Sequence, residues 1–314
     1  MDRNDVTWRG YWPAAPTPFT RDGALDEGAW REILRMYLRQ GMHGVLVNGT
    51  TGEWFSQTEA ERKRLAEIAT EELGGKITVV IGCTNYTADL VCSLARHARS
   101  VGADGVLATP PPYAHPNPDE LVHFYRTISD RVDIPLMIYN WPRGVAVDLD
   151  TETVVRLAEI PNVVGIKNST PNKARFFETL TAVVDRLRVF GDYLSPVGIA
   201  VMQGLGGDGF IGGGALLGAE EPEFFEAVWR GDVARARAIA AKELKLIGQL
   251  ANPDYSGRYG SPQAWVKAAM NLMGQPAGYP RPPLLPIEAP EKLAAIAAAL
   301  ESVGLEVRQP VAAR

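Results

Sequence analysis

Eight short apolar runs, each followed by a longer amphipathic stretch, fill the first two-thirds of this chain. No other feature narrows the fold as far. The runs at 11–15, 44–48, 77–81, 105–108, 136–139, 163–167, 188–190 and 209–211 are nearly continuous in apolar residues, the pattern of strands buried on both faces. Helical stretches are expected at 27–40, 58–73, 88–101, 119–131, 151–159, 173–184, 196–204 and 221–229. Several open on cap signals, such as Thr58 three residues before Glu61, the spacing of a capping box. Eight strand-plus-helix units in sequence predict parallel strands closed into a (β/α)8 TIM barrel. The alternative is a doubly wound open sheet, but the chain carries neither a P-loop nor a Gly-x-Gly-x-x-Gly run after a strand.

Past residue 231 the strands stop, and helices are expected at 232–250, 261–273 and 289–303. The reading is therefore a catalytic barrel over 1–230 and a C-terminal helical extension over 231–314 packed on it. No composition shift marks a second independent domain.

The 314 residues are 46% hydrophobic and 22% charged, with a net charge of −5 and both signs interspersed. That leaves no basic face for nucleic acid. No stretch has the apolar length of a membrane span, and the polar opening Met1-Asp2-Arg3-Asn4-Asp5 lacks a signal-peptide core. With only Cys83 and Cys92, a cytoplasmic protein with reduced thiols is expected. His43, His97, His115 and His123 are scattered, which argues against a histidine triad or a metal centre.

In a barrel of this kind the chemistry sits at the carboxyl ends of the strands. Lys167 closes the run Val163-Val164-Gly165-Ile166-Lys167. Burying a lysine is costly, and a partly desolvated amine loses its proton more readily and can attack a carbonyl. Taken alone, a strand-end lysine reaching water is the simpler reading. Its expected neighbours change the odds. Tyr139-Asn140 end the fifth strand, Gly49-Thr50-Thr51-Gly52-Glu53 follows the second, and Thr109-Pro110-Pro111-Pro112-Tyr113 follows the fourth. An amine that condenses with a ketone gives an imine, an electron sink, which needs a carboxylate anchor, a proton shuttle and a dry pocket. The glycine-flanked threonines suit the anchor and Tyr139 the shuttle. Prolines stiffen the loop that projects Tyr113. Arg143 has the chemistry to pair with a second carboxylate on a substrate. Trp54, Phe55, Trp141 and Arg143 are expected to shape the rest of the pocket.

Together these motifs resemble the dihydrodipicolinate synthase / N-acetylneuraminate lyase family of class I aldolases. Ala15-Pro16-Thr17-Pro18-Phe19, Gly49-Thr50-Thr51-Gly52-Glu53, Tyr139-Asn140-Trp141-Pro142, Gly165-Ile166-Lys167 and Arg281-Pro282-Pro283-Leu284-Leu285-Pro286 carry the resemblance, in order along almost the whole chain. It implies that Lys167 forms the imine with pyruvate or another 2-keto acid, that Tyr139 shuttles protons, and that Thr50 and Thr51 bind the carboxylate. It also implies that Tyr113 enters a neighbouring subunit's site and completes a relay with Thr50 and Tyr139. Gly49, Gly191 and Ile211 would line the pocket. A homotetramer, built as a dimer of dimers, and no metal or organic cofactor are implied as well.

Four departures from the synthase pattern stand out. The segment after Tyr139 is shorter, Asn168 stands where an acidic residue is usual, and Trp54-Phe55 stand where small residues are usual. Pro112 also replaces the first of two adjacent tyrosines, so feedback inhibition by lysine is not expected. The reading is a pyruvate-dependent lyase or synthase, with aspartate semialdehyde the first candidate aldehyde. A 2-keto-3-deoxy sugar acid or N-acetylneuraminate aldolase, or a 2-keto acid dehydratase, is the alternative. A non-catalytic keto-acid-binding barrel would be expected to have lost the lysine or the tyrosine.

Overall fold

A computed structural model describes residues 1–308. Eight parallel strands close on themselves in sequence order: β1 (Gly10–Ala14), β2 (Gly44–Val47), β3 (Thr78–Gly82), β4 (Gly105–Ala108), β5 (Leu136–Asn140), β6 (Val163–Asn168), β7 (Arg188–Phe190) and β8 (Gly209–Gly213). The pairing of β1 with β8 completes the (β/α)8 barrel. Helices α1 (Glu27–Arg39), α2 (Glu59–Leu73), α3 (Ala88–Ser100) and α4 (Pro118–Arg131) connect the first strands. A four-residue helix, α5 (Pro142–Val145), precedes α6 (Thr151–Ala158), and α7 (Lys173–Val183), α8 (Pro196–Gly204) and α9 (Glu220–Trp229) complete the ring. Each expected strand is present within two residues of its predicted ends, and α5 is an element the periodicity did not announce. It is too short to show a 3.6-residue pattern.

Local chemistry explains where helices begin. Thr58 caps α2, and its hydroxyl accepts from the Glu61 amide while Glu61 reaches back to the Thr58 amide at 2.8 Å. Asn117 and Glu120 do the same for α4, with Pro118 at the first helical position. After the barrel come α10 (Val233–Leu250), α11 (Pro262–Leu272) and α12 (Pro290–Glu301), with α10 packed on α8 and α9 and α12 on α10 and α11.

The apolar core has two parts. One lies between strands and helices. The other fills the barrel's interior and includes Trp8, Trp12, Leu46, Met137, Tyr139, Val164 and Phe190. Trp12 and Phe190 meet there with ring centroids 4.5 Å apart. Strict alternation from Val164 would put Ile166 inside the barrel and Lys167 outside. The β5–β6 register shifts instead, from Leu136 opposite Val163 to Met137 opposite Gly165. Past this irregularity Ile166 joins the outer core, and Lys167 pairs in register with the inward-facing Tyr139. A bulge re-aims a side chain in this way. Here it turns the lysine into the barrel mouth.

Candidate active site

At the carboxyl ends of the strands lies a cavity of about 980 Å³, and Lys167, Tyr139, Thr50, Thr51, Gly191 and Ile211 all line it. Five strands or their following loops thus deliver to one space residues that the sequence scatters from Thr50 to Ile211.

Lys167 Nζ sits 4.3 Å from the centroid of the Tyr139 ring. The side chain keeps part of its surface open to the cavity, but protein packs around the rest. Burial lowers its pKa to about 7. A large share of the amine is therefore neutral near pH 7 and able to act as a nucleophile. Tyr139 is 4% exposed. Burial pushes its phenol above the ordinary tyrosine value, and the neighbouring Thr50 and Ser169 hydroxyls act in the opposite direction. It stays protonated, a donor that can hand a proton on only through a partner. Trp141 stacks on it, with centroids 5.9 Å apart and planes 19° from parallel.

The turn after β2 needs its small residues. A Cβ on Gly52 would come 3.0 Å from the Ala15 carbonyl oxygen, and one on Gly49 would come 3.0 Å from Leu46. Gly49, expected to line the pocket, is not among the residues lining the cavity, whereas Thr50 and Thr51 are. Glu53, with φ 59, carries the chain out through the left-handed region.

Two expected residues sit differently from the rest. Arg143, in α5, lines the cavity, but its Nη1 donates to the Asp254 carbonyl oxygen and lies 3.3 Å from Asp254 Oδ2. It is tied to the loop after α10. Tyr113 is 90% exposed, has φ 73, and is not among the residues lining the cavity of its own protomer. Within one chain it does not join Lys167 and Tyr139. Phe55 and Trp141 line the cavity as expected. Trp54 instead covers the Arg62 guanidinium, 5.3 Å from its ring centroid.

Sequence reasoning missed Ser169 and Gln263, and gave Asn140 and Asn168 no role. Ser169 stands beside Tyr139 and lines the cavity. Its two-residue spacing from Lys167 was the available signal. Asn140 and Asn168, paired in register, join a partly buried network in which Asn140 Nδ2 donates to Asn168 Oδ1 at 3.0 Å and to Asp148 Oδ1 at 2.9 Å. Arg175 and Thr170 complete it by donating to Asp148 Oδ2 at 2.6 and 2.9 Å. The strand ends that carry Tyr139 and Lys167 are thereby pinned together. Gln263 of α11 reaches the cavity from a part of the chain with no motif of its own.

A family model for the dihydrodipicolinate synthetase family matches residues 7–302. A relative from Rhizobium meliloti, an uncharacterized DapA-like lyase, is 34% identical over 281 residues, 89% of this chain and 91% of the relative. A 4-hydroxy-tetrahydrodipicolinate synthase of Phenylobacterium zucineum is 37% identical over 235 residues, 74% of this chain and 78% of that protein. The crystal structure of dihydrodipicolinate synthase from Aquifex aeolicus superposes with a TM-score of 0.84 at 29% identity, over 96% of this chain and all of that one (100%). YagE from E. coli K12, a prophage protein of the dihydrodipicolinic acid synthase family solved in complex with pyruvate, superposes at 0.85 with 26% identity, over 96% and 100%.

Proposed function

The chain belongs to the dihydrodipicolinate synthetase family, whose members are class I aldolase-type lyases, and from that footing we propose that it forms an imine between Lys167 and pyruvate or a closely related 2-keto acid. The observation that carries the reading is the Lys167 amine, its pKa brought to about 7 by burial, over the Tyr139 ring in the cavity walled by Thr50 and Thr51.

The lone pair on Lys167 Nζ adds to the keto carbon, and the carbonyl electrons move to oxygen. That oxygen takes two protons, one of them given up by the amine nitrogen, and leaves as water, giving a protonated imine. Loss of a proton from the adjacent methyl carbon gives an enamine, which attacks an aldehyde carbon while the aldehyde oxygen takes a proton. Hydrolysis returns the amine. Run backwards, the same steps cleave a 2-keto acid to pyruvate. Tyr139, with Thr50 and Ser169 beside it, is placed to carry protons at the keto oxygen. The Thr50 and Thr51 hydroxyls and the turn amides bind the keto-acid carboxylate. The imine itself is the electron sink, so this route asks for no metal or organic cofactor.

Aspartate semialdehyde is the first aldehyde to test, because several relatives are named 4-hydroxy-tetrahydrodipicolinate synthase. Cleavage of a 2-keto-3-deoxy sugar acid or a sialic acid is the alternative. Tyr113 supports a further reading: a bulky side chain held out from the surface at φ 73 suits insertion into a neighbouring protomer of a homotetramer, where it would meet Thr50 and Tyr139. A cytoplasmic setting is part of the same proposal, and no helix among the described residues is long and apolar enough to cross a membrane.

Borohydride reduction in the presence of pyruvate, followed by peptide mass spectrometry, tests the chemistry. A pyruvate-derived adduct on the Lys167 peptide is expected, and its absence at saturating pyruvate overturns the imine reading.

A further inference from the structure

The turn that carries Thr50 and Thr51 is not held by the barrel alone. Gln263, in the first turn of α11, donates Nε2 to the Thr50 carbonyl oxygen at 3.1 Å. Lys267, four residues on and so on the same face of that helix, donates Nζ to Glu53 Oε1 and, at 2.8 Å, to the Tyr279 carbonyl oxygen. The Arg281 amide donates to Glu53 Oε2 at 2.9 Å. The Arg281 guanidinium, in turn, is bidentate on Glu61, at 2.9 and 2.7 Å, and also donates to the Gly23 and Ser56 carbonyl oxygens. Both ends of the turn are thus gripped from the C-terminal segment: Thr50 by Gln263, Glu53 by Lys267 and the Arg281 amide.

The grip has work to do. Glu53 holds a left-handed backbone conformation, φ 59, which costs a residue with a Cβ on the order of 1 kcal/mol or more unless its surroundings impose it. Its carboxylate is 0% exposed and the Lys267 ammonium 1% exposed, so neither charge has water to fall back on. Losing either partner would leave the other stranded. Thr50 and Thr51 lie between these two fixed points.

We propose that Gln263 and Lys267 are positioning residues for the keto-acid carboxylate, holding the Thr50–Glu53 turn in the shape that aims its donors toward Lys167. This rests on the imine reading above. Neither residue need touch the substrate. Gln263 acts through the Thr50 carbonyl and Lys267 through Glu53. The extension after the barrel is then a working part of the anion site. A displacement of the turn by a fraction of an ångström weakens carboxylate binding without altering the amine.

The test uses the full chain and compares two carbonyl probes, pyruvate and methyl pyruvate, which has a similar size but no carboxylate. Initial rates of adduct formation at Lys167 under cyanoborohydride are followed by mass spectrometry. For Gln263→Ala, removal of one neutral hydrogen bond predicts a fall of about 3- to 10-fold in the pyruvate rate at low concentration. The methyl pyruvate rate should stay within about twofold of its starting value. Lys267→Met should show the same selective loss, larger, and Lys267→Arg should recover part of it. If Lys267→Met does not fold, Gln263→Ala and Lys267→Arg carry the test. Equal losses for both probes, or no loss for either, overturn the proposal while leaving the imine reading intact. Absence of any pyruvate adduct on the wild-type chain overturns both.

Discussion

Lys167 and Lys267 are both largely enclosed by protein, and both lie within 5 Å of an aromatic ring: 4.3 Å from the Tyr139 centroid and 4.8 Å from that of Phe19. Their surroundings differ in one respect. Lys267 has the Glu53 carboxylate and a carbonyl oxygen as partners. Among the described residues Lys167 has no carboxylate partner, and it opens onto the cavity. Burial lowers the pKa of both, to about 7 for Lys167 and about 8 for Lys267, where Glu53 pulls the other way. One lysine is a structural tie whose charge is answered on the spot. The other is left unanswered, and that makes it a nucleophile. The fold thus spends a buried charge in two ways, and substitutions should separate them.

The largest effect comes from replacing each lysine by methionine, with opposite signs for stability. Lys167→Met should abolish adduct formation and turnover while raising the melting temperature, since an unpaired buried amine is replaced by an apolar chain of similar length. Lys267→Met should keep the amine at 167 but lose about 3–5 kcal/mol of stability, because the Glu53 carboxylate is left alone in the interior. Chemical denaturation of both variants checks this. A stability loss in Lys167→Met would mean that its ammonium is paired in a way the geometry does not show. The gain should also depend on pH. The unfolded chain binds a proton at Lys167 below about 10.4, whereas the folded chain binds one only below about 7. Wild-type stability therefore rises with pH across that window. The advantage of Lys167→Met should be greater at pH 7 than at pH 10.

Next comes the proton shuttle. Tyr139→Phe removes the hydroxyl beside Thr50 and Ser169 but keeps the ring under Lys167 and against Trp141. Turnover should fall by about 10²- to 10⁴-fold, the usual range for a lost general acid–base. The pyruvate adduct should still form under prolonged reduction. Steady-state kinetics and trapping, run side by side, distinguish this from a simple collapse of the site.

How these features could be read from sequence follows the same division. Strand positions, the capping box at Thr58, and the cluster of Lys167, Tyr139, Thr50 and Thr51 were legible because each depends on local pattern or on the rule that strand ends share a face of the barrel. Gln263 and Lys267 were not. They contribute through contacts to residues more than 200 positions away, Thr50 and Glu53, and nothing in their helical surroundings marks them. The inward aim of Lys167 was also hidden, because it rests on a register shift between β5 and β6 that period-two reasoning cannot see. Trp54 was expected in the pocket from its place next to Glu53. The left-handed turn at Glu53 sends it toward Arg62 instead. Tyr113 was legible as an unusual side chain, and its destination depends on a second copy of the chain.

The smallest effect tests the comparison most directly. Asn168 is 4% exposed, follows Lys167, and accepts from Asn140 Nδ2 through Oδ1. Asn168→Asp keeps the shape and that accepted hydrogen bond, but brings a carboxylate into the neighbourhood of an amine that now has none. It moves Lys167 part of the way toward the situation of Lys267. The added charge favours the ammonium form, so the pH midpoint of adduct formation, expected near 7 in the wild type, should rise by about one unit or less. The rate at pH 7 should fall, and the plateau at high pH should be restored. Initial trapping rates from pH 6 to 10 measure both, over about the range in which lysine amines titrate when burial shifts them. An unchanged midpoint would mean that solvent in the cavity screens the new charge, and that dehydration by the barrel wall alone, not the absence of a partner, sets the reactivity of Lys167.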